Sequence, residues 1–366
     1  MDLTWILDPL GPTATVSLGG LLIGLVFGAA AQQSRFCLRA AVVEFARGAI
    51  GSKVSIWLLA FSGAVFITQA FIHWDILDVS DARQLAPQTS LSGAILGGLM
   101  FGCGMVLARG CSSRLLVLSA TGNLRALLSG LVFAVSAQAA YRGILSPARD
   151  LLAGLWVVDG RGLIDALSGM GGIMGGIEPT LALGISFILG AVFFAWHNRL
   201  SRRVWLAALG AGGAVAVGWL LTYTLSYQSF DPVAVESITF TGPSADTLMI
   251  FLNPDSTALD FDVGLVPGVF LGSFLAAYLT NELKLEGFEG GPAMRRYLAG
   301  AAIMGFGGML AGGCAVGAGI TGGSVFSLTA WAALSGMWIG AGITDTLLDR
   351  ESDPLPSLSW PKAQDI

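Results

Sequence analysis

From Tyr297 to Thr344 the chain carries no charged residue, an uninterrupted run of 48 positions. One membrane helix needs only ~20 apolar residues, so the run predicts two helices that meet inside it. They meet at Gly312, Gly313 and Cys314, followed by Gly317, Gly319, Gly322 and Gly323, a glycine density that weakens a helix. Non-helical backbone at membrane depth is tolerated only where protein buries it or it lines a cavity. The same pattern stands 203 residues earlier, where Gly97 to Cys111 overlays Gly300 to Cys314. Identical pairs are Gly97/Gly300, Gly102/Gly305, Gly104/Gly307, Leu107/Leu310, Ala108/Ala311, Gly110/Gly313 and Cys111/Cys314. The chain is an internal repeat with a cysteine at the break of each half.

Composition extends this to the whole chain. Of its 366 residues 54% are hydrophobic and 12% charged, with 51 glycines and a mean hydropathy of +0.73, against ~25% charged in soluble proteins. The reading is an all-α polytopic membrane protein whose partner is the lipid bilayer; no nucleic-acid partner is expected. The N-terminal MDLTWILDPLG is acidic and lacks the basic segment of a cleavable signal, so the first span is expected to stay.

Uncharged runs at 13–33, 54–72, 91–108, 126–141, 179–196, 204–224, 263–281, 297–312 and 324–344 predict about nine transmembrane helices. Basic residues cluster after the odd spans: Arg35, Arg39, Arg47 and Lys53, then Arg109, Arg114 and Arg125, then Arg199, Arg202 and Arg203, then Lys284, Arg295 and Arg296. Alternate connections are acidic or mixed, with Asp75, Asp78 and Asp81 in one and Asp231, Glu236, Asp246, Asp255, Asp260 and Asp262 in another. The positive-inside rule then places the N-terminus outside and the C-terminus in the cytoplasm.

Spans one to four and six to nine match as units, and a single crossing between them inverts the second. That predicts two inverted pseudo-symmetric repeats, a plan of transporters whose substrate sites lie at interrupted helices near the midplane. One transmembrane domain over 1–366 is expected, with repeat one at about 13–142, a connector at 143–203, repeat two at about 204–344 and a cytoplasmic tail at 345–366. The stretch 143–178 reads as an external surface segment.

Two short re-entrant half-helices are expected between the first two spans of each unit, at Ser34–Gly48 and Ile238–Asn253. Aligning Phe36 with Phe240 puts Thr241 opposite Cys37, and Gly242, Pro243 and Ser244 read as a helix start. A buried helix start offers unpaired N–H groups and a positive dipole end, which suits an anion. Four breaks, at Cys37, Cys111, Thr241 and Cys314, are expected to converge.

Bland readings compete with the functional ones. Cys103 reads as packing, because its repeat partner is Phe306 and a buried cysteine behaves as a small hydrophobe. Gly93 with Gly97, Gly98 with Gly102 and Gly308 with Gly312 fit small-residue helix packing, whereas the run around Gly313 does not. His73 and His197 read as interfacial anchors. The arginines beside Cys37 and Cys111, Arg35 foremost, either anchor the cytoplasmic face or draw an anion inward. Cys37, Cys103, Cys111 and Cys314 lack the spacing of a zinc site; no metal or other cofactor is expected. Glu44 is the lone carboxylate placed at depth, which gives a carboxylate relay for ions little support.

These residues carry a resemblance. Through Arg35–Phe36–Cys37, Gly110–Cys111 and Gly312–Gly313–Cys314 with Gly317, the chain resembles the YeeE/YedE family of bacterial inner-membrane sulfur transporters over nearly its whole length. The resemblance implies a pseudo-symmetric fold and a central relay of three cysteines, Cys37, Cys111 and Cys314, that passes thiosulfate or a related small sulfur anion inward without acting as an enzyme. It departs from the pattern after Cys111, where Ser112, Ser113 and Arg114 stand in place of a glycine-containing loop. Family members linked to other sulfur species or to selenium compounds keep the ion open. A thiol in an apolar, partly dry site stays neutral and donates a weak S–H hydrogen bond, which suits a relay. The chain lacks the G-x-x-x-x-G-K-[ST] motif of an ATP-driven pump, so either a cotransported ion or a cytoplasmic sulfur-carrier protein is expected to drive uptake. The other readings are a membrane sulfurtransferase or redox enzyme with cysteine nucleophiles, and a nonspecific anion channel.

Overall fold

The computed structural model describes Pro9 and residues 11–169, 178–229, 231–253, 260–288 and 290–349. The run GMGGIMGG and the tail beyond residue 349 therefore lie outside the described residues apart from Gly169. Helices dominate: α1 (Pro12–Ser34), α2 (Leu38–Ala46), α3 (Ser52–His73), α4 (Leu91–Leu107), α5 (Ser112–Ala120), α6 (Leu124–Tyr141), α7 (Ser146–Ala153), α8 (Gly162–Ser168), α9 (Pro179–His197), α10 (Arg202–Gln228), α11 (Thr241–Leu252), α12 (Phe261–Leu279), α13 (Gly291–Leu310), a π-helix (Ala315–Gly322) and α14 (Leu328–Leu348). One antiparallel pair, β1 (Thr89–Ser90) with β2 (Val157–Val158), ties the segment before α4 to the connector.

Eight stretches among the described residues are long and apolar enough to cross a membrane. Three of them join a long helix to a short one, at Pro12–Ala46, Leu91–Ala120 and Gly291–Gly322. The protein is thus an all-α polytopic membrane protein. α14 adds 21 residues, long enough to cross at ~1.5 Å per residue, with Asp345 in its last turns. Asp345 is fully buried, and Arg47 at the end of α2 grips both its oxygens at 2.9 Å. α14 runs on past this ion pair to Leu348.

Glycine decides how the helices pair. On α1, β-carbons at Gly20, Gly24 and Gly28 would run into the backbone at Phe261, Leu265 and Val269 of α12. On α12, β-carbons at Gly264, Gly268 and Gly272 would strike Ser17, Leu21 and Leu25 of α1. The two helices run parallel, backbone against backbone, the approach that small residues four apart allow. α4 and α14 do the same, through Gly98 and Gly102 against Ala333 and Met337, and Gly336 and Gly340 against Ile95 and Leu99. Gly93 and Gly97 fit the expected packing role on α13. Gly308 and Gly312 do not: Gly308 leaves room for the Thr241 side chain, and Gly312 sits at φ +76°.

The pairings show the repeat. α1 packs on α12 and, through the counterpart helices, α10 packs on α3; α4 packs on α14 and α13 on α6. The equivalent helices also meet each other head to tail. Gly19 of α1 faces Leu221 of α10 while Gly210 faces Ala30, and Gly93 of α4 faces Leu310 of α13 while Gly104 faces Gly300. Both equivalent pairs are antiparallel, so one half is inverted relative to the other.

Gly28→Ala should destabilise the protein by ~1–3 kcal/mol, the range for an overpacked contact, read as a lower melting temperature in detergent. Gly130 on α6 has nothing within 4 Å of an added β-carbon; Gly130→Ala should be neutral or mildly stabilising.

Candidate functional site

The breaks are built alike from local backbone chemistry. α1, α4 and α13 each end on a left-handed residue, Arg35 (φ 53°), Arg109 (φ 55°) and Gly312 (φ 76°). The next N–H, of Phe36, Gly110 or Gly313, reaches back to Ala31, Met105 or Gly308 at 3.2, 3.0 and 2.9 Å. This closure satisfies carbonyls that a helix end would otherwise leave bare. Cysteine follows each time: Cys37, Cys111 and Cys314 are extended residues capping the starts of α2, α5 and the π-helix. The equivalence of Arg109 and Gly312 shows that the repeat conserves backbone shape where it does not conserve the side chain.

The glycine-rich run after Cys314, expected as irregular backbone, is a fully buried π-helix. The short helix expected after Cys37 is present as α2, and a short helix, α5, also stands after Cys111 in place of the expected loop. Gly313 is held because a β-carbon there would press on the backbone of Gly317 and Ala318. Gly317 donates its N–H to the Cys314 sulfur at 3.4 Å.

Cys111 and Cys314 are fully buried and Cys37 is 8% exposed. The Cys37 and Cys111 sulfurs lie 3.9 Å apart, within reach of an S–H···S contact, and Ser113 Oγ is 3.4 Å from the Cys111 sulfur. Cys314 belongs to the same continuous core, at the head of the π-helix, on which α5 packs. All four cysteines are free thiols. Cys103 stands apart, its sulfur 3.5 Å from the Gly340 carbonyl at the α4–α14 seam, as the packing reading required.

Thr241 is the first residue of α11 and is buried, and its hydroxyl oxygen has no partner. It lies against Gly308 of α13, two turns before Cys314. Phe36 and Phe240, aligned by the repeat, both pack on Phe27, at 6.5 and 5.5 Å between ring centroids. Arg35 is 73% exposed in its side chain and 3.5 Å from Glu282. Arg109 is exposed, whereas Arg39 reaches toward Asp349 at 3.9 Å. Glu44 accepts the Val54 N–H at 2.9 Å at the start of α3, which gives it a capping role. His73 and His197 lie in the last turns of α3 and α9, and His197 stacks on Phe193.

Two cavities sit at opposite ends of the α1–α12 pair. One, about 290 Å³, lies at their C-terminal ends among Gln32, Arg35, Arg114, Asn123, Glu282 and Lys284. The other, about 450 Å³, lies at their N-terminal ends and includes Arg83, Arg142, Glu236, Asp246, Asp260 and Asp262. Composition counted these acids as loop charge; their inward placement depends on the chain fold before α11 and α12. Among the described residues no group of three or more His, Cys, Asp or Glu is arranged to hold a metal ion.

The family model described as sulphur transport matches residues 33–343. The chain belongs to that sulphur transport family. Family membership makes it a transporter rather than an enzyme. The thiosulfate transporter TsuA of Spirochaeta thermophila is 27% identical over 342 residues, covering 88% of this chain and 98% of that protein. The thiosulfate transporter TsuA of Escherichia coli is 25% identical over 347 residues, covering 88% and 92%. The family match begins before Arg35 and ends within α14, so it spans all four breaks.

Burial pushes the Glu236 carboxyl from its ordinary 4.5 up to about 7, and the Asp260 charge adds to the push. Its folded pKa lies above the unfolded one, so the folded chain binds more protons between those values and stability falls as pH rises through that window. Melting in detergent at pH 5 and pH 8 should show that loss, and Glu236→Gln should reduce it. An unchanged difference in the variant would mean Glu236 ionises freely.

Proposed function

We propose that the protein takes up thiosulfate, or a closely related small sulfur anion, through the bacterial inner membrane by way of Cys37, Cys111 and Cys314, with Thr241 completing the pathway. The observation that carries this reading is the placement of a thiol at three separate helix starts. Each start presents N–H groups and a positive dipole end beside a cysteine S–H that can donate a weak hydrogen bond. An anion held by such weak donors binds loosely enough to be passed on. Family membership and the two thiosulfate transporters that match most of the chain support the substrate class. Arg35 at the mouth of one cavity and Gly313, whose lack of a β-carbon lets the π-helix close on itself, complete the set.

The transport unit is one domain, with repeats at about 13–142 and 204–344 joined by the connector 143–203. The N-terminus faces outside and the C-terminus the cytoplasm, on the strength of the basic connections. The cavity with Arg35 and Lys284 is then the inner mouth and the acidic one the outer. Inward movement of a dianion opposes an inside-negative potential by roughly 4.6 kcal/mol per 100 mV. Either a cotransported ion or a cytoplasmic sulfur-carrier protein that consumes the arriving ion offsets that cost.

In cells that depend on thiosulfate for sulfur, alanine at Cys37, Cys111 or Cys314 should each abolish uptake, while Cys103→Ala should be nearly silent. Thr241→Val keeps the shape and removes the unpartnered hydroxyl. Losing one hydrogen bond to a charged group costs ~1.5–3 kcal/mol, so affinity should fall roughly ten-fold or more at unchanged protein level. Full uptake by Cys314→Ala would refute the relay, and normal affinity in Thr241→Val would remove α11 from the pathway.

A further inference from the structure

The three residues after Cys111 stand where Ala315, Val316 and Gly317 follow Cys314 in the other half, and the structure gives them a use. Ser112, Ser113 and Arg114 form the first turn of α5. A cation there opposes the helix dipole, whose positive end already lies at that terminus, and burial makes the placement costlier still. Yet Arg114 points inward and lines the cavity of about 290 Å³ at the ends of α1 and α12. Its Nη1 is buried without a hydrogen-bond partner. Ser112 is 5% exposed, and its hydroxyl oxygen is also buried without a partner. Two unpartnered donors thus share one helix turn, directly after a thiol that lies 3.9 Å from a second thiol.

The carboxylates nearby do not answer Arg114. Glu282 receives Gln32 Nε2 at 2.9 Å and Arg35 at 3.5 Å. Glu286 receives the Asn123 side-chain amide. Among the described residues neither Arg114 nor Lys284 forms an ion pair.

We propose that the first turn of α5 is an oxyanion-binding station, in which the Arg114 guanidinium and the Ser112 hydroxyl hold the oxygens of a small tetrahedral sulfur oxyanion. The proposal rests on the transport reading and deepens it. Thiosulfate has two chemically different ends. The Cys37 and Cys111 thiols receive the terminal sulfur while Arg114 and Ser112 receive the oxygens, and Arg35 and Lys284 line the way out. An arginine fork suits a planar pair of anionic oxygens better than an ammonium does.

The test uses the full-length protein in detergent, with sodium sulfate as a probe that has the oxygens but no terminal sulfur, against sodium chloride at equal ionic strength. A ligand that binds only the folded state raises the melting temperature. Sulfate should stabilise the wild type. In Arg114→Gln the half-saturating sulfate concentration should rise about ten-fold or more, as expected for losing a charged hydrogen bond. Ser112→Ala should raise it less, and Arg114→Lys should fall between wild type and Arg114→Gln. Arg109→Gln, outside the cavity, should match wild type. If Arg114→Gln does not fold, Arg114→Lys decides, and sulfate binding equal to wild type in a folded Arg114 variant overturns the station. So does a wild type that sulfate fails to stabilise. Thiosulfate flux into proteoliposomes is measured alongside: sulfate binding without thiosulfate flux would refute the transport reading while supporting the station.

Discussion

A helix that stops inside an apolar layer leaves N–H and C=O groups bare, and each must find a partner or a ligand. This constraint shapes the centre of the protein. α1, α4 and α13 close their own carbonyl ends with left-handed caps at Arg35, Arg109 and Gly312. The new helices that follow then begin on cysteine, a residue too weak a hydrogen-bonding group to quench their N–H groups fully. What remains is a set of donors in protein-buried surroundings, suited to an anion that must not bind tightly.

The glycine seams make that arrangement rigid. With Gly20, Gly24 and Gly28 set against Gly264, Gly268 and Gly272, α1 and α12 approach until backbone touches backbone. The α4–α14 seam, which likewise joins one helix from each repeat, does the same. Helices held this closely fix where each one ends, and hence where each cysteine lies. The 3.9 Å approach of Cys37 and Cys111 is a consequence of seams that do not themselves touch either sulfur.

Much of this was legible in the sequence because membrane helices announce themselves by uncharged length, and the spans, the inverted halves, the Cys111/Cys314 equivalence and the half-helix at Thr241 all follow from one-dimensional pattern. The helices after Cys111 and Cys314 were not legible, since glycine and short polar residues read as loop when tertiary burial is unknown. Gly308 and Gly312 carry the same lesson: four-residue spacing looks like packing, but one makes room for Thr241 and the other caps a helix. A charge at Asp345 reads as the end of the apolar run in sequence, since its partner, Arg47, lies 298 positions away. Arg114 was ambiguous for the same reason, since a cytoplasmic anchor and a buried donor are the same letter.

In the proposed relay, thiols at helix starts hand an intact anion across the membrane by hydrogen bonding. A thiolate attacking the terminal sulfur would instead keep that atom as a persulfide and release sulfite. Thiosulfate labelled separately at its terminal and its central sulfur distinguishes the two in proteoliposomes of the purified protein. A hydrogen-bonded relay delivers both labels to the lumen in equal amounts and leaves none on the protein. Terminal label retained on a cysteine, with the central label recovered as sulfite, would contradict it.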